Sequence, residues 1–240
     1  MDVWDAVREE RLDLVDRVAD LSPRQWDSPS LCAQWRVRDV LGHVAAGAEG
    51  RYGLGPVVGG MIRHRFNFNR FMEADGKRRG ARDPADLRRS LQEAAGHRAT
   101  PPGVPSVGML SEVVVHAQDI CRPLGLERQI PESHLRAVAD FLKSAGGFGT
   151  KKRIAGVRLV ATDMEWVHGT GPDVTGPAEI LVLFMAGRLA VVADLAGAGK
   201  AHAGRSLLVM GGQPQRWRAL TSRNSSKPNG PRSRPIPDCL

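Results

Sequence analysis

Cysteine is scarce in this chain. Its 240 residues include three, Cys32, Cys121 and Cys239, and no CxxC pair. That excludes a disulfide framework or a zinc knuckle and suits reduced thiols in the cytoplasm. Long apolar runs are missing too. The longest, Ile180 to Ala186, is far too short to cross a bilayer. The start, Met1-Asp2-Val3-Trp4-Asp5, lacks the basic residues and apolar stretch of a signal peptide. A soluble cytoplasmic protein without a membrane partner is expected. Acid is nearly absent from the last 29 residues. Gly212 to Leu240 carries six Lys or Arg against Asp238 alone, so +5 of the net +8 sits there and residues 1–211 are close to balanced. With five prolines among Ser, Asn and Gly, this segment reads as a disordered basic tail, and nucleic acid is not an expected partner.

What remains is helical up to about residue 146. Val3, Val7, Leu14, Val18 and Leu21 recur at helical spacing. Ser22-Pro23 and Asp83-Pro84 each place a capping side chain before a proline suited to the first helical position. A second long helix starts near Arg36, and Gly and Pro between Gly47 and Gly60 interrupt or end it. One helix is expected over residues 61–73. Pro105-Ser106 opens another that runs through Ile120 and stops before Pro123, and a further helix follows Pro131. Beyond residue 146 the texture changes. Gly156 to Asp163 alternates like a strand, Gly169 to Gly176 reads as a loop, and Pro177 to Arg188 as a short helix. Leu189 to Leu195 and Ser206 to Met210 read as strands. The expected class is α+β: a helical bundle over 1–146, a small α+β domain over 147–211, and the tail over 212–240.

One helix carries chemistry. At about 100° per residue, Met109, Val113 and Ile120 share a stripe that faces the core, and Glu112 and His116 fall within it, one turn apart. A carboxylate on a core-facing stripe is costly unless something compensates it. A metal ion held with the histidine four residues on would do so; so would a simple Glu–His hydrogen bond. On spacing alone the two readings stand level. His43 lies on the flank of an apolar stripe, where a lone histidine is more often packed or solvated than a ligand.

Two longer strings resemble a known family. Leu31-Cys32-Ala33-Gln34-Trp35-Arg36-Val37-Arg38-Asp39-Val40-Leu41-Gly42-His43 resembles the C-x-x-W-x-V-x-D-L-x-x-H signature of the mycothiol-dependent maleylpyruvate isomerase family. The second signature, E-x-x-x-H-x-x-D-I-R-x-x-L-G, is matched by Glu112, His116, Asp119, Ile120, Arg122, Leu124 and Gly125, with Cys121 inserted before Arg122. Val160 to Asp163, Gly169 to Ala178 and Gly187-Arg188 are similar to that family's second domain. The resemblance covers about residues 1–210. It implies a DinB-like four-helix bundle whose His43, Glu112 and His116 bind a divalent metal, typically zinc. Two histidines and one carboxylate leave zinc an open position, as in catalytic sites.

The resemblance also implies mycothiol, the low-molecular-weight thiol of actinobacteria, as co-substrate. A zinc ion lowers the pKa of a thiol bound to it, which suits isomerisation or S-transfer on a small electrophile. Asp119 can orient a ligand ring or pair with Arg122. Arg188 is a candidate for a substrate carboxylate, or simply a partner of the helix C-terminus. The substrate is left open. The other classes left standing are a non-catalytic metal- or thiol-binding regulatory module and a metal-assisted hydrolase.

Overall fold

A computed structural model describes residues 1–145 and 149–201. The expected strand at Ser206 to Met210, His202 and the basic tail over 212–240 lie outside them. Four helices form a closed ring of neighbours: α1 (Val3–Arg17), α3 (Val37–Ala48), α6 (Pro84–Glu93) and α7 (Ser106–Leu124). Each of α1 and α7 touches α3 or α6 and the other, which is a four-helix bundle. The starts follow local chemistry. Asp2 accepts from the Trp4 and Asp5 backbone N–H groups at the head of α1. Ser22 and Gln25 form a capping box on α2 (Pro23–Trp26), and Asp83 caps α6 ahead of Pro84.

Two of the longer helices pack on the ring from outside. α5 (Phe68–Gly80) packs on α3, and α8 (Glu132–Leu142) packs on α7. The α3–α5 contact is a close backbone approach. A Cβ on Gly42 would sit 2.9 Å from the Arg79 carbonyl carbon, and one on Gly80 would sit 2.1 Å from Asp39 Oδ1. Only glycine fits at either position, and the approach brings Asp75 on α5 up against α3.

The C-terminal part has a three-stranded sheet in the order β2-β1-β3. Its strands are β1 (Arg158–Ala161), β2 (Val167–Gly169) and β3 (Asp173–Gly176). β1 pairs antiparallel with β2 and parallel with β3. The short helix α9 (Thr150–Arg153) precedes the sheet and α10 (Ala178–Met185) follows it, packed on α8. The α+β class is as expected. Buried apolar residues form one continuous cluster from Ala6 to Leu195, so the core runs unbroken from bundle to sheet.

Several local expectations differ from the fold. The single helix over 61–73 is two, α4 (Leu54–Arg63) and α5, split by a turn in which Arg65 and Phe66 both take positive φ. The glycines and proline of 53–60 start α4 rather than preventing it. The loop over 169–176 contains β3, held to β1 by the buried Val174 and by an Arg158–Asp173 pair at 2.7 Å. Leu189–Asp194 is a 3-10 helix, not a strand. Val191 and Leu195 are buried but Ala193 between them is exposed, so the alternation of a half-buried strand is broken. Helix α7 runs through Pro123 to Leu124. Proline leaves the Asp119 carbonyl without an intrahelical donor, and the Leu31 backbone N–H supplies one at 3.0 Å.

Candidate metal centre

Helix α7 is buried around most of its circumference, from Gly108 to Cys121, because α1, α3 and α8 all pack against it. A narrow core stripe therefore understates its burial. Glu112 and His116 are the positions within this span that keep some access, with 18% and 13% of their side chains exposed. His43, on the equally buried α3, keeps 10%. The structure brings all three together where α3 faces α7. His43 Nε2 lies 3.4 Å from Glu112 Oε1, and the two imidazole rings meet edge to face with centroids 5.0 Å apart. Gly47, one turn after His43, makes room: a Cβ there would lie 2.8 Å from Glu112 Oε1.

Both rings are held from behind through Nδ1. Tyr52 gives its one proton to Asp75 Oδ2 at 3.0 Å, so its oxygen is left to accept from His43 Nδ1–H at 2.7 Å. Asp75 is fixed in turn by Arg79 Nε at 2.5 Å and by Arg78. On α7, His116 Nδ1 donates to Asp119 Oδ2 at 2.9 Å. Asp119 also accepts from Arg188, whose Nε reaches Oδ1 at 2.9 Å while Nη2 reaches Oδ2. In both rings the proton is on Nδ1 and the lone pair on Nε2. Carboxylate support of this kind is the usual arrangement behind a metal-ligating histidine. Trp35, from the first motif, walls the pair, with ring centroids 5.1 Å from His43 and 6.0 Å from His116.

The charges follow from burial. It raises the Glu112 carboxyl to about 8, opposed only in part by Arg11. The Arg11 guanidinium is itself engaged by the carbonyls of Ala94, Ala95 and His97. Burial also holds His43 well below the ordinary imidazole value, with His116 adding to the effect, and lowers His116 against the pull of Asp119. Asp119 goes the other way. Burial would raise it, but Arg188 and His116 bring it to about 2. The centre thus holds two neutral rings whose Nε2 lone pairs are not used by these bonds and a carboxyl whose charge has no adjacent cation. A divalent ion requires such a donor set and supplies the charge it lacks.

A second grouping overlaps this one. Among the described residues, Cys32, His116 and Asp119 are the set whose ligand atoms all lie within 4.8 Å of one another; His43, Glu112 and His116 are spread more widely. The compact set is nonetheless a poor cage. Both Asp119 oxygens are engaged by Arg188, and burial pushes the Cys32 thiol up to about 12, which keeps it protonated.

The other named residues also have definite places. Asp119 contacts His116 and Arg188, whereas Arg122 pairs with Glu179 and Asp194 at 2.9 and 2.8 Å. Arg188 stands beside His116, but as the partner of Asp119 and of the Ala186 carbonyl. His134 is buried against Glu10 at 2.6 Å, away from the centre. Sequence reasoning misses Tyr52, Asp75 and Gly47. The first two meet His43 only through tertiary packing, and no local spacing marks them. Gly47, one turn after His43 on the same helix, had a signal.

Residues 7–105 match the family model described as the mycothiol maleylpyruvate isomerase N-terminal domain. No curated protein matches the chain. Two solved structures share its fold. One is the crystal structure of the mycothiol-dependent maleylpyruvate isomerase, at 15% identity and a TM-score of 0.59. The other is a histidine-to-alanine mutant of that enzyme, at 14% and 0.57. Each alignment covers 83% of this chain and 92% of the other. The chain is thus similar to the mycothiol-dependent maleylpyruvate isomerase family, in sequence over residues 7–105 and in fold over most of its length.

Proposed function

We propose that the chain is a metal-dependent enzyme of the mycothiol-dependent isomerase type, with His43, Glu112 and His116 as ligands of a divalent ion, zinc by preference. The observation that carries this is the pair of imidazoles whose Nδ1 atoms are occupied by Tyr52 and Asp119, leaving both Nε2 lone pairs outside those bonds, that of His43 at 3.4 Å from a desolvated Glu112. When bound, such an ion lowers the pKa of a thiol placed at its open position, so that the thiol is nucleophilic at neutral pH.

The chain's own residues supply the rest. Trp35 excludes water from one side of the rings, and the Tyr52–Asp75 and Asp119–Arg188 pairs fix their orientation. Arg188 anchors Asp119 and keeps 15% of its side chain exposed, which supports a second role in meeting a substrate carboxylate. The co-substrate is mycothiol and the substrate a small electrophile. Addition of the thiol followed by its expulsion gives an isomer, and retention of the thiol gives a conjugate.

Metal analysis of the purified protein beside His43→Ala and Glu112→Ala tests the ligands. About one ion per chain in the wild type, and a loss of most of it in both variants, is expected; unchanged content in both would remove the site. Incubation with mycothiol and a panel of unsaturated acids tests the activity. Full metal content without thiol-dependent turnover of any of them would leave a binding module instead.

A further inference from the structure

Helix α4 and the turn after it expose an apolar face that nothing in the described chain covers. α4 has no buried residue, and it rests on α5 chiefly where Gly60 meets the Phe71 ring. Leu54, Val58 and Ile62 recur every fourth residue, within an arc of about 80°, and are 67%, 46% and 61% exposed. Phe66 and Phe68 continue the patch at 73% and 55%. Phe66 is held outward by a turn in which it and Arg65 take φ of 58° and 53°, a conformation that side-chain-bearing residues adopt at a cost.

The segment that carries this face has charge of one sign. From Arg51 to Arg70 the chain has four arginines and no Asp or Glu. Arg63, Arg65 and Arg70 are exposed, and none has an ion pair among the described residues. Two occupants are disfavoured by this charge. The 212–240 segment is itself strongly basic, and a second copy docked face to face would set like charges opposite each other. An anionic bilayer surface answers both features, the exposed apolar side chains and the arginines without an ion pair among the described residues.

We propose that this face, Leu54, Val58, Ile62, Phe66 and Phe68 with Arg63, Arg65 and Arg70, binds the surface of an anionic phospholipid membrane. The apolar side chains enter the headgroup boundary, and the arginines meet lipid phosphates, the mode of an amphipathic helix lying in the interface. No described helix is long and apolar enough to cross the membrane, and the proposal needs none.

Vesicle co-sedimentation of the full chain tests it. Vesicles of phosphatidylcholine containing phosphatidylglycerol should bind the protein at least about tenfold more strongly than phosphatidylcholine alone, and added salt should weaken the binding. The Leu54→Ser/Ile62→Ser/Phe66→Ser variant keeps every charge, and because these side chains are exposed it should keep the wild-type circular dichroism spectrum. It should lose about tenfold in binding to the anionic vesicles. Absence of binding, or equal binding by wild type and variant, overturns the proposal; the second result would assign the attraction to basic residues elsewhere. A dimer on size exclusion that the same variant dissociates would also overturn it, in favour of a second copy.

Discussion

The two histidines of the centre are held by different parts of the molecule. His43 is backed by Tyr52 and then by Asp75 on α5, so its support lies entirely among the N-terminal helices. His116 is backed by Asp119 on its own helix, and Asp119 is held by Arg188, which comes from beyond the sheet. The first arrangement is neutral where it touches the ring, because a phenol stands between imidazole and carboxylate. The second puts a full carboxylate against the ring and balances it with a guanidinium. His116 is therefore the stronger electron donor and the one that depends on the C-terminal part. His43 is the weaker donor and is independent of it.

Breaking the charged side should have the larger effect. Asp119→Ala removes the partner of His116 and leaves the Arg188 cation buried without a carboxylate, beside the Ala186 carbonyl and the His116 ring. Losing one member of a buried pair costs about 3–5 kcal/mol, so a marked fall in melting temperature is expected. Zinc affinity, measured by competition with a chromogenic chelator, should fall about 10–100-fold. An effect on stability without one on affinity would mean that Asp119 serves the domain contact alone.

Breaking the neutral side should do less. Tyr52→Phe keeps the ring against His43 but removes the hydroxyl that links it to Asp75. Zinc affinity should fall by about tenfold, with a stability loss near 1 kcal/mol, the ordinary worth of one hydrogen bond. A fall as large as that of Asp119→Ala would erase the distinction between the two supports. Gly47→Ala addresses Glu112 between them. Its new methyl would crowd Glu112 Oε1, and a few-fold loss of affinity with little change in melting is expected, since the carboxylate can swing away.

The chain order of these parts explains what the sequence made legible. Helix starts at Ser22-Pro23 and Asp83-Pro84 were readable because capping is local chemistry within three residues. The Glu112–His116 pair was readable for the same reason, one turn on one helix. His43 was not readable from periodicity, because α3 is buried on nearly every side and a polar residue on it has no contrasting face to stand out against. The motif that resembles a known family singled it out. Tyr52 and Asp75 lie 9 and 23 residues away along the chain from their hydrogen-bond partners, His43 and Tyr52. They meet only because Gly42 and Gly80 let α3 and α5 approach, a tertiary event with no signature in either helix alone. The strand at Asp173–Gly176 was hidden likewise, since its glycine-rich sequence reads as a turn until β1 pairs with it.

The proton on Glu112 isolates the carboxylate from both supports. In the metal-free fold its carboxyl is raised from an ordinary 4.5 to about 8 by burial. The folded chain then binds this proton more tightly than the unfolded chain does. Its contribution to stability is full below the unfolded value and is lost as pH rises from there to about 8. The two histidines act in the opposite sense. Their lowered values mean that the unfolded chain takes up protons first as pH falls below 6.5, which destabilises the fold on the acid side. The raw profile of the metal-free protein should therefore pass through a maximum. The difference between wild type and Glu112→Gln cancels the histidines. It should show the wild type losing several degrees of melting temperature relative to the variant between pH 5 and pH 8.5, the window between the unfolded and folded values of the Glu112 carboxyl. Saturating zinc should abolish that slope in the wild type, because the ion supplies the charge that makes an ionised Glu112 tolerable. A slope that persists unchanged with zinc bound would place the ion away from Glu112 and favour the grouping around Cys32, His116 and Asp119.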